Sequence, residues 1–304
     1  QLEATKILAV YSEDWKHLAI GRVGTVYKEA STIAEVVKFI STERNLLLRV
    51  TDNVSVAYVH PPRRSIAGKS SARANKAMVD LVDESRLDLL TEEWARLAFV
   101  LGVVHVVPVV RQLESWPEKR LCFDTILPHN AEAIFSDDDQ EIAAILLYEI
   151  REGVKRHVAL DAEAWTYFDS HWNMVDRVEH GLGRMPAVQF RVRRNLVDYW
   201  DMHPGSKLVA ATLELARISA YKGWVRKCSS SKLATFFSAE LSDGSDGPFT
   251  PEKGLSRTIA PGEASFQVHD YITPVKDFID EMKEIAENIA ESFGIPNAMG
   301  HPGN

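Results

Sequence analysis

The chain has 304 residues and a mass of 34.1 kDa, enough for one large domain or two ordinary ones. Hydrophobic residues make up 45% and charged residues 26%, which excludes wholesale disorder, a collagen-like repeat and a disulfide scaffold. The net charge of −8 argues against a protein that wraps nucleic acid, although a local basic patch or a surface along which DNA slides without sticking remains compatible with it.

Cys122 and Cys228 are the only cysteines; 106 residues apart, they match no zinc spacing and fit a reducing compartment. The apolar run at 98–110 is broken by Gly102, His105 and Pro108, so no membrane span is expected. The N-terminus has no signal-peptide pattern, and without an initiator Met further residues are expected in front of Gln1.

In chain order, residues 1–49 read as mostly helical, with one amphipathic stretch over 31–50 capped by Ser31 or Thr32. VSVAYV at 54–59 has strand character, and HPPRRSIAGKSSAR at 60–73 reads as a basic loop. A long helical pattern follows from Ala74. Its break is expected near Leu90, with Thr91 capping a second helix that Gly102 ends. Residues 103–193 change character. Five β-type runs, VVHVVPVVR, RLCFDTILP, AAILLYEIRE, KRHVALDAEAWTYFD and MPAVQFRVR, alternate with polar turns, which predicts one antiparallel sheet and an α+β fold.

A helix is expected after MHPG, from Ser206 to Lys222, and short strands and turns over 225–270. The clearest element is the last. Thr273 caps it, Pro274 sits at its first position, and Gly294 follows its final turn. Val275, Phe278, Ile279, Met282, Ile285, Ala286, Ile289, Ala290 and Phe293 make an apolar stripe. Asp277, Asp280, Glu281, Glu284, Glu287 and Glu291 outnumber Lys276 and Lys283 on the remainder.

Catalytic motifs fail on their spacing. AIGRVGTVYK at 19–28 resembles a kinase glycine-rich loop, but only Gly21 and Gly24 are in register, and no catalytic loop or magnesium ligand follows; a turn before a helix is the expectation. AGKSS at 67–71 resembles the end of a P-loop with Arg63 where its first glycine belongs. SDDDQ at 136–140 reads as an acidic turn, and His105 as a core histidine. Two basic clusters stand out. One comprises Arg191, Arg193 and Arg194; the other comprises Arg226 and Lys227 with Lys232, where the long helix is expected to meet the β-rich segment. Surface solvation is their default role and phosphate contact the alternative.

Several segments together resemble portal proteins of tailed double-stranded DNA bacteriophages. They are EEWARLAFVLGVVHVVPVV, where a helix pair steps through a glycine into a hairpin, FDTILPHNAEAIFSDDD, IAAILLYEI, VEHGLGRMPAVQF at 178–190, and IAENIAESFGIPNAMG at 285–300. The resemblance implies a portal-like α+β fold: a wing over 1–200, a first stem helix over 201–224, a clip over 225–270, a second stem helix over 271–294, and the start of a tunnel loop at 295–304 with no crown. It implies a structural channel rather than an enzyme, with no catalytic residue, metal or cofactor. The implied partners are further copies in a ring, a dodecamer, the terminase large subunit, the head–tail adaptor, the major capsid and scaffolding proteins, and double-stranded DNA in the channel, with no membrane. The implied location is a capsid vertex of the virion, reached from the host cytoplasm. Asp280, Glu284, Glu287, Glu291, Lys276 and Lys283 become channel-lining candidates. Asp243, Gly244, Asp246, Gly247 and Phe249 become docking candidates at the clip tip. The reading that competes with a portal is a soluble α+β enzyme, hydrolase-like, with an unrecognised site.

Overall fold

The computed structural model describes residues 1–54, 64, 71–112, 118–136, 142–151, 154–191, 200, 202–229, 233–237, 265–269 and 275–295. The fold is α+β, and every strand pairing among the described residues is antiparallel. It divides into two compact units, one formed by Gln1–Tyr11 and Leu47–Val209, the other by Ser12–Leu46 and Ala210–Asn304. Residues 12–46 thus group with the C-terminal helices rather than with the sheets.

In the first unit, α1 (Leu2–Tyr11), α4 (Leu46–Val54), α5 (Ser71–Ser85) and α6 (Leu87–Leu101) precede eight strands. The break between α5 and α6 falls at Arg86, which adopts left-handed backbone at φ 53°, and not near Leu90. Thr91 lies inside α6, where its buried hydroxyl donates to the Leu87 carbonyl at 2.7 Å. It satisfies its own hydroxyl within the helix and caps nothing. Gly102, at φ 82°, ends α6 as expected and turns the chain directly into β1.

The predicted single sheet of five runs is, among the described residues, two sheets of three and five strands. β1 (Val103–Arg111), β2 (Arg120–Ile126) and β8 (Val188–Arg191) form one, in the order β2-β1-β8. β3 (Ala131–Phe135), β4 (Ile142–Arg151), β5 (Val154–Leu160), β6 (Ala164–Phe168) and β7 (Met174–Glu179) form the other in sequential order. KRHVALDAEAWTYFD splits into β5 and β6 because the Asp161 carboxylate accepts from the backbone N–H of Glu163 and Ala164, at 2.7 and 2.8 Å, and closes a tight turn. β3 escaped the sequence reading because it is only five residues long and its inward positions are alanines, and β7 because every one of its residues is exposed.

The core of this unit lies where residues of both sheets meet: Val107 and Ile126 from the first, Ala131, Ile145, Leu147, Val158 and Leu160 from the second. On β4 and β5 only alternate side chains enter it, as a sheet with one covered face requires. On β1, Val103–Val107 are all buried, which fits a strand covered on both faces. Trp94 of α6 packs its ring against Phe123 and Phe190, and its Nε1–H donates to Thr125 Oγ1 at 2.9 Å. This ring pins α6 to β2 and β8 while its only polar atom is paired. Both outer pairings of the five-stranded sheet shift register: Ala143 of β4 is extra opposite edge strand β3, and Val175 of edge strand β7 is extra opposite β6, where the irregularity blunts edge-to-edge pairing.

In the second unit, α2 (Lys16–Val26) and α3 (Ala30–Val37) accompany most of α7 (His203–Ser229), a hairpin-like pair β9 (Leu233–Phe237) and β10 (Ser265–His269), and α8 (Val275–Ser292). Residues 19–26, read as a turn, are helical throughout. An added Cβ would meet nothing within 4 Å at Gly21 or Gly24, so no packing demand explains either glycine. The stretch expected as one helix is two, since α3 ends at Val37 and α4 begins at Leu46; its N-cap is Glu29 and not Ser31 or Thr32. Of VSVAYV, Val54 closes α4 and the remainder lies outside the described residues. The helix expected from Ser206 begins at His203 and runs to Ser229. Pro204 sits in the first turn, where no intrahelical N–H is needed, and Ser206 N–H already donates to the Met202 carbonyl. Gly205 in that turn has no room for a side chain, because an added Cβ would fall 2.1 Å from the Val100 carbonyl oxygen.

Candidate functional site

α8 carries the channel-lining candidates. Met282, Ala286, Ile289 and Ala290 are buried on one side, flanked by half-buried Phe278, Ile279, Ile285 and Phe293. Lys276, Asp280, Lys283, Glu284, Glu287 and Glu291 are all exposed on the other. The two faces follow from the 3.6-residue period alone. The helix ends in a complete Schellman motif. Gly294, at φ 65°, donates to the Glu291 carbonyl at 3.1 Å, and Ile295 donates to the Ala290 carbonyl at 2.9 Å. Thr273 and Pro274, expected to start the helix, lie outside the described residues.

Eighteen residues at about 1.5 Å each give a rod of about 27 Å with six carboxylates and two lysines. Among the described residues, Asp280, Glu284, Glu287 and Glu291 make no ion pair. Their like charges lie about one turn apart and are left to solvent. A helix face of this kind presents a negative potential to whatever faces it.

α7 is the support. From Ala211 to Val225 every residue of it is buried or half-buried, so its burial is not confined to the one broad face its sequence suggested. Within this span Glu214 and Arg217 build a polar knot. The Arg217 Nε and Nη2 groups donate to Glu214 Oε1 at 2.8 and 2.6 Å. Arg22 of α2 donates to Oε2 at 3.1 Å. Arg217 Nη1 donates to the Tyr27 hydroxyl at 3.3 Å, and its Nη2 lies 4.0 Å from Glu281 of α8. Burial alone would raise the Glu214 carboxyl, but Arg217 and then Arg22 hold it below its ordinary value. Burial raises the Tyr27 hydroxyl against the opposing pull of Arg217. Beside the knot, Tyr221 stacks on Tyr27 at 5.3 Å, meets Trp224 at 5.5 Å and meets Phe278 of α8 edge-on at 5.5 Å. The knot and the rings together tie α2, α7 and α8. Glu214 and Arg217, three residues apart, are a pair the sequence could have flagged; Arg22 and Tyr27, nearly two hundred residues away, carried no such signal.

The basic candidates do not form one patch. Arg191 ends β8, half-buried opposite Val103, and its charge bears on the buried ring of His105. His105 is fully buried and edge-on to Trp200. Burial, then Arg191, pushes its pKa down to about 4, so it is a neutral core residue as the sequence suggested. Arg226 and Lys227 lie in the last turn of α7, shortly before β9, where the helix was expected to meet the β-rich segment. There they offset the negative end of the helix dipole, and Lys227 pairs with Glu35 at 3.4 Å. Arg193, Arg194 and Lys232 lie outside the described residues, as do Asp243, Gly244, Asp246, Gly247 and Phe249 of the expected clip tip.

Among the described residues no cluster of His, Cys, Asp and Glu could hold a metal ion, and no helix is long and apolar enough to cross a membrane. No protein-family model matches the chain, and no curated protein matches it.

Proposed function

We propose that this chain is a portal subunit of a tailed double-stranded DNA bacteriophage, a structural protein that assembles with further copies into a ring around a DNA channel. The observation that supports the reading is the division of α8: a buried apolar side, flanked by Phe278 whose ring meets Tyr221 of α7, and an exposed side on which Asp280, Glu284, Glu287 and Glu291 make no ion pair among the described residues. A channel for moving DNA must not bind phosphate tightly, and a ring of such faces would repel the backbone and keep the duplex centred. In this reading α7 and α8 are the stem helices, with Asp280, Glu284, Glu287 and Glu291 toward the lumen and Lys276 and Lys283 among them. The segment after Ser229, with β9 and β10 paired at its base, is the clip that docks the packaging motor and later the head–tail adaptor. The remaining sheets and helices are the wing.

The test is electron microscopy of the purified full chain with a native mass measurement. A ring with a central hole, at many multiples of 34.1 kDa, is expected. A monomer at high concentration overturns the reading.

A further inference from the structure

Ala131, Ile145, Leu147, Val158 and Leu160 enter the core from one face of the five-stranded sheet, so the residues alternating with them lie on its outer face. There Tyr148 of β4 stands opposite His157 of β5, and His157 opposite Phe168 of β6. Trp172, in the β6–β7 turn, lies flat on His157, with ring centroids 4.0 Å apart and planes 5° from parallel, and it meets Phe168 at 5.9 Å. Trp172 is 50% exposed, so the ring face turned away from His157 is open to solvent. This placement works against the fold. Trp172 holds left-handed backbone at φ 67°, which is unfavourable for so bulky a residue. The open ring face buries no apolar area, and His157 beneath it keeps its Nδ1 buried with no hydrogen-bond partner. The turn nonetheless fixes the ring in place. The Asp169 carboxylate accepts from the backbone N–H of His171 at 2.8 Å and of Asn173 at 2.9 Å, and from the Asn173 side-chain amide at 3.0 Å, while the Trp172 N–H donates to the Asp169 carbonyl at 3.2 Å. Strain that the surroundings over-determine, at an exposed and rigidly presented ring, marks a contact surface rather than a core position.

We propose that Trp172 is the platform of a binding site for a neutral saccharide. The open indole face is negative at its centre and attracts the C–H groups on one side of a pyranose ring. Tyr148 meets His157 edge-on at 5.4 Å, and its hydroxyl donates to Glu132 Oε2 at 2.8 Å. That bond orients both groups and leaves the second carboxylate oxygen and the hydroxyl lone pairs to receive sugar hydroxyls. An apolar ring face bordered by such groups matches a ligand with one apolar side and a polar rim. Among the described side chains the outer face of the strands carries Glu132, Arg177 and Glu179, and Arg177 is already engaged by Glu163 at 2.9 Å. Two carboxylates against one paired guanidinium disfavour a phosphate-bearing ring on the same platform. The site does not depend on the portal reading.

The test is saturation-transfer-difference NMR on the full chain with cellotetraose, maltotetraose and chitotetraose at millimolar concentration, a method that observes the ligand and serves a monomer or a large ring alike. Ring C–H protons of at least one sugar should take up saturation, and its titration should level off. Trp172→Gly removes the indole, and glycine adopts φ 67° without strain, so thermal unfolding should be unchanged while binding weakens by about three- to ten-fold. If that variant unfolds, Trp172→Asn, which also tolerates left-handed backbone, makes the comparison. Glu132→Gln should weaken binding by about three-fold or more through the lost charge-assisted bond. No saturation transfer to any of these sugars, undiminished binding in the Trp172 variants, or transfer to AMP in place of every sugar would each overturn the assignment.

Discussion

Glu214 is held by two guanidinium groups, and removing its charge leaves both without their carboxylate. Glu214→Gln should therefore lower the unfolding free energy by about 1.5–3 kcal/mol, read by urea titration at pH 7. The parent carboxyl is depressed in the folded state, so its contribution is present above the unfolded value near 4.5 and is lost as pH falls through the lower folded value. His105 gives a separate acid limb. Its folded pKa of about 4 lies below the ordinary 6.5. The neutral ring is thus stabilised by folding, and that stability is whole above pH 6.5 and declines as pH falls toward 4, where the folded form takes up the proton as well. Over that window the loss approaches about 3 kcal/mol. Thermal unfolding from pH 7 to pH 4 should show the decline, and His105→Gln, whatever its stability at neutral pH, should flatten it. An equally steep decline in the variant would assign the limb to other groups.

At the scale of one helix, the two sides of α8 make opposite predictions two residues apart. Ile289 is buried, so Ile289→Ala should destabilise by about 2–4 kcal/mol. Glu287 is exposed and unpaired among the described residues, so Glu287→Ala should stay within about 0.5 kcal/mol. Denaturant titration of both variants compares them directly, and similar losses would show that the exposed side is covered by something. The period of the apolar stripe and the terminal Gly294 made α8 readable from sequence, and the Schellman bonds agree. The β-region was only half readable. β4 and β5 alternate because one face is covered, whereas β7 has neither face covered and leaves no pattern to find. The α5–α6 break was misplaced because Arg86 takes left-handed backbone without being Gly or Asn, while Thr91, the better cap by residue type, is spent on a bond inside its own helix.

For the whole molecule, the portal reading makes a prediction about charge. Glu284→Lys with Glu287→Lys should leave ring formation intact and slow or stall DNA passage by attracting phosphate. The effect should be larger at low salt, since screening acts over about 10 Å at 0.1 M. The measurement is DNA packaged per ring at two ionic strengths. Normal packaging by the double variant at low salt would sink the sliding-surface argument even if rings form.

Composition, the 3.6-residue stripe and the strand–turn alternation were enough by themselves to define an α+β chain with a long acidic terminal helix, because those signals are local and each residue carries its share. Only the tertiary structure decided that the β-runs divide into two sheets, that 12–46 joins the C-terminal helices, and that α7 has no exposed residue over 211–225. Each of these depends on contacts between residues far apart in the chain, such as Arg22 with Glu214 or Val103 with Arg191, and such pairs leave no periodicity in a single sequence.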